Sequence, residues 1–80
     1  MDAEQAVAIV RRERKRLGLG WKLQPVVAEK AIVEYTRDRQ RPGVIEDRVA
    51  WIVELAGGAR QARVHVDDRN GEILEVLRGG

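Results

Sequence analysis

The sequence predicts an α+β domain of two layers, with one N-terminal helix packed on a four-stranded antiparallel meander. Three observations carry this. Apolar residues recur at helical spacing through residues 2–17, β-branched residues crowd residues 28–36, and three segments of alternating polarity follow between residues 48 and 77, divided by two glycine turns.

The helix is predicted over residues 2–17. Asp2 is placed to cap it, with Gln5 three residues on, and Ala3, Ala6, Val7, Val10 and Leu17 form its apolar stripe. Gly18 ends it. Acidic residues lie early, and Arg11, Arg12, Arg14, Lys15 and Arg16 lie late, which suits the helix dipole. The stripe is narrow and rich in alanine, so the helix needs a sheet to lean on.

A connector is expected over residues 19–25, with Gly20 and Pro25 as breakers and Trp21 as the apolar anchor that plugs one end of the core. The first strand is predicted over residues 28–36, with Ala31, Val33 and Tyr35 on one face and Lys30, Ile32 and Glu34 on the other. Pro25 also suits the first position of a helix, an alternative that the β-branched run argues against. Residues 37–48 are charged and contain Pro42-Gly43, so they read as a loop, with Val44 and Ile45 beginning the next strand early.

The remaining strands are predicted over residues 48–56, 60–67 and 72–77. If Gly57 and Gly58 form a two-residue turn, Val53 faces Ala62, Trp51 faces Val64 and Val49 faces Val66, all on one core face. Asp68-Arg69-Asn70-Gly71 suits a type I turn closed by a left-handed glycine. With Asp68 and Glu72 flanking it, Leu74 falls opposite Val66, and Val76 opposite Val64. A slip of one residue would place Glu75 in the core.

Eighty residues make one domain, and a chain of this size buries only about 60–65% of its unfolded surface. The hydrophobic share of 44% and charged share of 35% fit an ordered domain. No cysteine is present, so neither a disulfide framework nor a thiolate ligand exists. There is no run of about 20 apolar residues that would span a membrane, and no signal-like N-terminus.

The residue inventory argues against catalysis. The chain lacks serine and cysteine and has a single threonine, Thr36. His65 is the only imidazole, expected on the outer sheet face between Ala50 and Glu75, where it reads as an exposed cross-strand pair. Asp67, Asp68, Asn70 and Glu72 crowd one turn, but Leu77 stands where a calcium loop needs a bidentate glutamate, so turn chemistry explains them without a metal.

Ala50-Trp51-Ile52-Val53, then Val64-His65-Val66-Asp67, then Asn70-Gly71-Glu72-Ile73-Leu74 together resemble the C-terminal half of a PepSY domain. The pattern is an aromatic-led strand, a V-x-V-D strand and a hairpin of the form T/N-G-E followed by two hydrophobic residues. The match covers roughly the last 30–35 residues, and the helix and first strand only loosely. The resemblance implies a PepSY-like fold and a non-catalytic protein-binding module, of the kind found in metallopeptidase propeptides and cell-envelope proteins. It assigns no catalytic, cofactor or metal residue, since Trp51, Val64, Val66, Asp67, Gly71 and Glu72 would be structural. It also implies a secreted or cell-envelope setting, in which this chain would be an excised or processed piece.

Two surfaces are the candidates for binding. Ala50, Ile52, Ile73 and Leu77, with Ile32 if the first strand joins alongside, are predicted to make an apolar patch on the outer sheet face for a protein partner, a peptidase among them, or a second copy. Arg11, Arg12, Lys15 and Arg16, with Arg37, Arg39 and Arg41, form a basic patch that would suit nucleic acid or another anionic partner. The net charge of only +2, the interruption by Glu13 and the lack of an aromatic-rich face make nucleic acid the weaker reading.

Overall fold

The computed structural model describes residues 1–36 and 43–79. It contains helix α1 (Ala3–Glu13) and strands β1 (Gln24–Tyr35), β2 (Glu46–Gly57), β3 (Arg60–Asp67) and β4 (Ile73–Gly79). The strands form one antiparallel sheet in the order β1-β2-β3-β4, and α1 packs on β1, β2 and β3. This is the predicted α+β architecture.

Asp2 caps α1 as expected. Its carboxylate accepts from the Gln5 amide at 2.8 Å, and the Gln5 side chain accepts from the Asp2 amide at 2.8 Å, which satisfies two otherwise free donors. Regular helix stops at Glu13, earlier than predicted, and residues 14–18 continue as turns. Gly18 (φ 70°) still closes the segment, with the Gly18 amide donating to Lys15 and the Leu19 amide to Arg14. From β4, the Arg78 guanidinium reaches back to the Leu17 carbonyl.

One face of the sheet meets the helix. Ala6 and Val10 of α1 pack with Val53, Leu55, Ala62, Val64 and Val66, and Ala28, Trp51, Ile73 and Val76 border them. Val10, Val53, Leu55, Val64 and Val66 are fully buried, and each such side chain contributes about 1.5–3 kcal/mol by leaving water.

Trp21 does not plug this core. It is 74% exposed, and Leu19 and Leu23 on either side of it are buried instead. The connector crosses the end of β2, where the Lys22 carbonyl lies so close to Gly57 that a Cβ there would stand 2.0 Å from it. That contact turns the neighbouring leucines inward and leaves Trp21 outside.

The same contact corrects the hairpin register. Gly57 stays in the strand opposite Arg60, and Gly58 (φ 61°) and Ala59 make the turn. Val53 therefore faces Val64, Trp51 faces Val66 and Leu55 faces Ala62, a shift of two residues from expectation. Because side chains alternate with period two, the shift preserves the core face but gives Leu55 the place opposite Ala62 expected of Val53, and Val49 drops out of the core and is exposed.

The second turn is flanked by Asp67 and Glu72, not Asp68 and Glu72, with the Asp67 amide donating to the Glu72 carbonyl at 2.8 Å. Gly71 (φ 74°) is left-handed as predicted. Val76 faces Val64 as expected, but a bulge at Leu74 brings Ile73 opposite Val66. A second bulge at Val26 interrupts β1 against β2. Strands β1 and β2 run longer than predicted, and Val44 and Ile45 lie exposed before β2 begins.

Candidate interaction surfaces

Among the described residues, α1 covers one face of the sheet and the other face is open. From the pairing register, the open face carries Ala31, Val33 and Tyr35 of β1, Arg48, Ala50, Ile52 and Glu54 of β2, Arg63, His65 and Asp67 of β3, and Glu75 and Leu77 of β4. Of the predicted apolar patch, Ala50, Ile52 and Leu77 lie on this face. Ile32 and Ile73 do not. Ile32 pairs with Val49 on the helix side, where it is 72% exposed, and the Leu74 bulge turns Ile73 toward the core.

Ion pairs lace the open face. Arg48 binds Glu46 and Asp67, each at 2.8 Å, with its guanidinium 5.9 Å from the centre of the Tyr35 ring. Arg63 binds Glu54 at 2.9 Å. Ala50 lies buried between Ala31 and Asp67, and Ile52 lies half-buried between Glu29 and His65. Among the described residues, five carboxylates (Glu29, Glu46, Glu54, Asp67 and Glu75) stand on this face against two guanidiniums (Arg48 and Arg63), so its described part is acidic in a chain that is basic overall.

His65 lies between Ile52 and Glu75, one register step from its expected neighbour Ala50. Its Nδ1 is 3.8 Å from Glu75 Oε2, too far for a hydrogen bond, and its Nε2 is buried without a partner. Burial lowers its pKa more than Glu75 raises it, so the imidazole is held neutral.

The acidic turn is occupied by the protein's own donors. Asp67 is 2% exposed and accepts from Arg48 and, at 2.7 Å, from the Arg69 amide. Asp68 accepts from the Trp51 indole at 2.7 Å and lies 3.6 Å from Lys30 Nζ. The Asn70 side chain accepts from the Glu72 amide at 2.9 Å. Among the described residues, no group of three or more His, Cys, Asp or Glu side chains is placed to hold a metal ion.

On the basic surface, Arg11, Arg12, Lys15 and Arg16 are exposed on and after α1. Arg12 and Arg16 both pair with Glu13, whose pKa is lowered chiefly by the Arg16 hydrogen bond. Arg37, Arg39 and Arg41 lie outside the described residues. The feature that sequence reasoning missed is the outward Trp21, which lies beside Lys22, Gly58 and Arg60 along a shallow groove of about 420 Å³.

Comparison with models of known families, with characterised proteins and with solved structures finds no match for the chain. Among the described residues, no helix is long and apolar enough to cross a membrane.

Proposed function

We propose that this domain is a non-catalytic protein-binding module of the PepSY kind that regulates a peptidase, with the open sheet face as its contact surface. The observation that carries this reading is the uncovered face itself, where half-buried Ile52 and exposed Leu77 stand among ion pairs. A second layer, supplied by a partner, would cover those apolar residues. The acidic balance of the face favours a partner surface that carries lysine or arginine around an apolar centre. The helix-on-meander topology agrees with the resemblance drawn from the strand and hairpin residues. The residue inventory also fits a binding role, since there is no serine or cysteine nucleophile and the one histidine is enclosed.

The test is titration of the domain into a panel of metallopeptidases, reading peptide cleavage and complex formation by sedimentation. At least one peptidase is expected to bind and slow, and Ile52→Glu, with the fold verified by circular dichroism, is expected to abolish both effects. Absence of any complex, or a complex indifferent to Ile52→Glu, removes the reading.

A further inference from the structure

We infer that the end of the molecule opposite the Asp67–Glu72 turn is a docking tip for an anionic lipid surface, with Trp21 as its inserted side chain. Three segments meet at this end: the helix terminus with its connector, the β2–β3 hairpin and the end of β4. This end holds Arg14, Lys15, Arg16, Lys22, Arg60, Arg63 and Arg78; Arg16 is paired with Glu13 and Arg63 with Glu54, and the other five have no carboxylate partner among the described residues. The tip is therefore strongly positive although the whole chain is only +2.

The main chain at Trp21 is anchored while its side chain stands outward. Its carbonyl accepts from Gln24 Nε2 at 2.8 Å and from Arg14 Nη1 at 3.4 Å, which ties the connector to β1 and to the helix terminus. Lys22 Nζ lies 5.6 Å from the indole centre, and Arg60 borders the same groove. Val26, at the bulge that opens β1, is 61% exposed. An outward indole flanked by Lys22 and Arg60 matches the chemistry of the membrane interface, where the ring sits at headgroup level and lysine and arginine meet phosphate.

A lipid surface fits this tip better than a nucleic-acid strand. Stacking successive bases needs more than one ring, and the other aromatic side chains are engaged elsewhere: Trp51 with Asp68, and Tyr35 beside Arg48.

The test is sedimentation with vesicles of phosphatidylcholine alone and of phosphatidylcholine mixed with phosphatidylserine. Preference for the mixed vesicles should be about tenfold or more and should fall with added salt. Indole emission should shift to the blue on binding. Trp21→Ala should lose the shift and most of the partitioning without changing the melting midpoint, since the side chain packs on little, and Lys22→Glu and Arg60→Glu should each weaken partitioning about fivefold. Equal partitioning into both vesicles, or unchanged partitioning by Trp21→Ala, overturns the inference. So does retention on a single-stranded oligonucleotide or an acidic polypeptide in place of vesicles.

Discussion

The Trp51 indole donates its N–H to Asp68 Oδ1 at 2.7 Å, joining the middle of β2 to the turn that leads into β4. The same carboxylate draws Lys30 from β1 to 3.6 Å and the N-terminal ammonium to 3.9 Å. One side chain thus gathers the first residue, the first strand, the central tryptophan and the last turn. Asp68→Ala is expected to lower the melting midpoint and to change Trp51 emission, while Asp68→Asn, which keeps an acceptor, should do less of both. If Asp68→Ala melts with the parent, this junction contributes nothing to stability.

The two glycines of the first hairpin should respond differently to the same change. Gly57→Ala drives a methyl group into the Lys22 carbonyl and should cost about 3 kcal/mol or more by overpacking against backbone. Gly58→Ala meets open space but must hold a left-handed φ, at a cost of about 1–2 kcal/mol. Urea denaturation of the two variants measures the difference, and equal losses would mean that the connector does not press on β2.

Stability should fall with acid in two stages. His65 has its pKa lowered by burial, so between its folded value and the usual 6.5 the unfolded chain binds more protons and stability drops as pH falls. For Asp67, burial raises the pKa, but the Arg69 amide, the Arg48 guanidinium and the Asn70 amide together hold it below 3.8. For Asp68, the Trp51 hydrogen bond is the chief cause of lowering, opposed by burial and helped by Lys30. Both carboxylates therefore stabilise the fold fully above pH 3.8, and that contribution is lost as pH falls through their folded values. Melting midpoints measured from pH 8 downward should show an early decline that His65→Gln removes and a later one that Asp67→Asn reduces. A constant midpoint from pH 7 to pH 3 would contradict both.

Arg78 caps the turns that follow α1, reaching from the far end of the chain to the Leu17 carbonyl. Arg78→Ala should cost about 0.5–1.5 kcal/mol, the usual net worth of an intramolecular hydrogen bond. Amide exchange should quicken over residues 14–18 more than in β2 or β3, and uniform quickening would argue against a local cap.

Local chemistry was legible from residue identities. Asp2 with Gln5 marked the helix start, Gly71 marked its turn, and the alternation of Val64, His65, Val66 and Asp67 placed β3 at its observed bounds. What stayed hidden depends on contacts distant in sequence. Gly57 looked like a turn residue because nothing nearby announces that Lys22 will lie against it. Trp21 looked like an anchor because a large apolar side chain in a connector usually packs inward, whereas here Leu19 and Leu23 take that place. The bulges at Val26 and Leu74 carry no local signal, and the Leu74 bulge sent Ile73 to the helix side. Ile32 went there because its register partner is Val49, so the expected patch was divided between two faces.

Those two bulges lie on the two boundary strands, β1 and β4. Each inserts one extra residue and breaks the even spacing of backbone donors and acceptors along its margin. The β4 flank is left regular only from Glu75 to Gly79, whereas on β1 the bulge and Pro25 interrupt the start of the strand and Val27 to Tyr35 pair without a shift. The sheet is thereby guarded against edge-to-edge growth along β4 and at the start of β1, and the stretch from Val27 to Tyr35 is its most open margin.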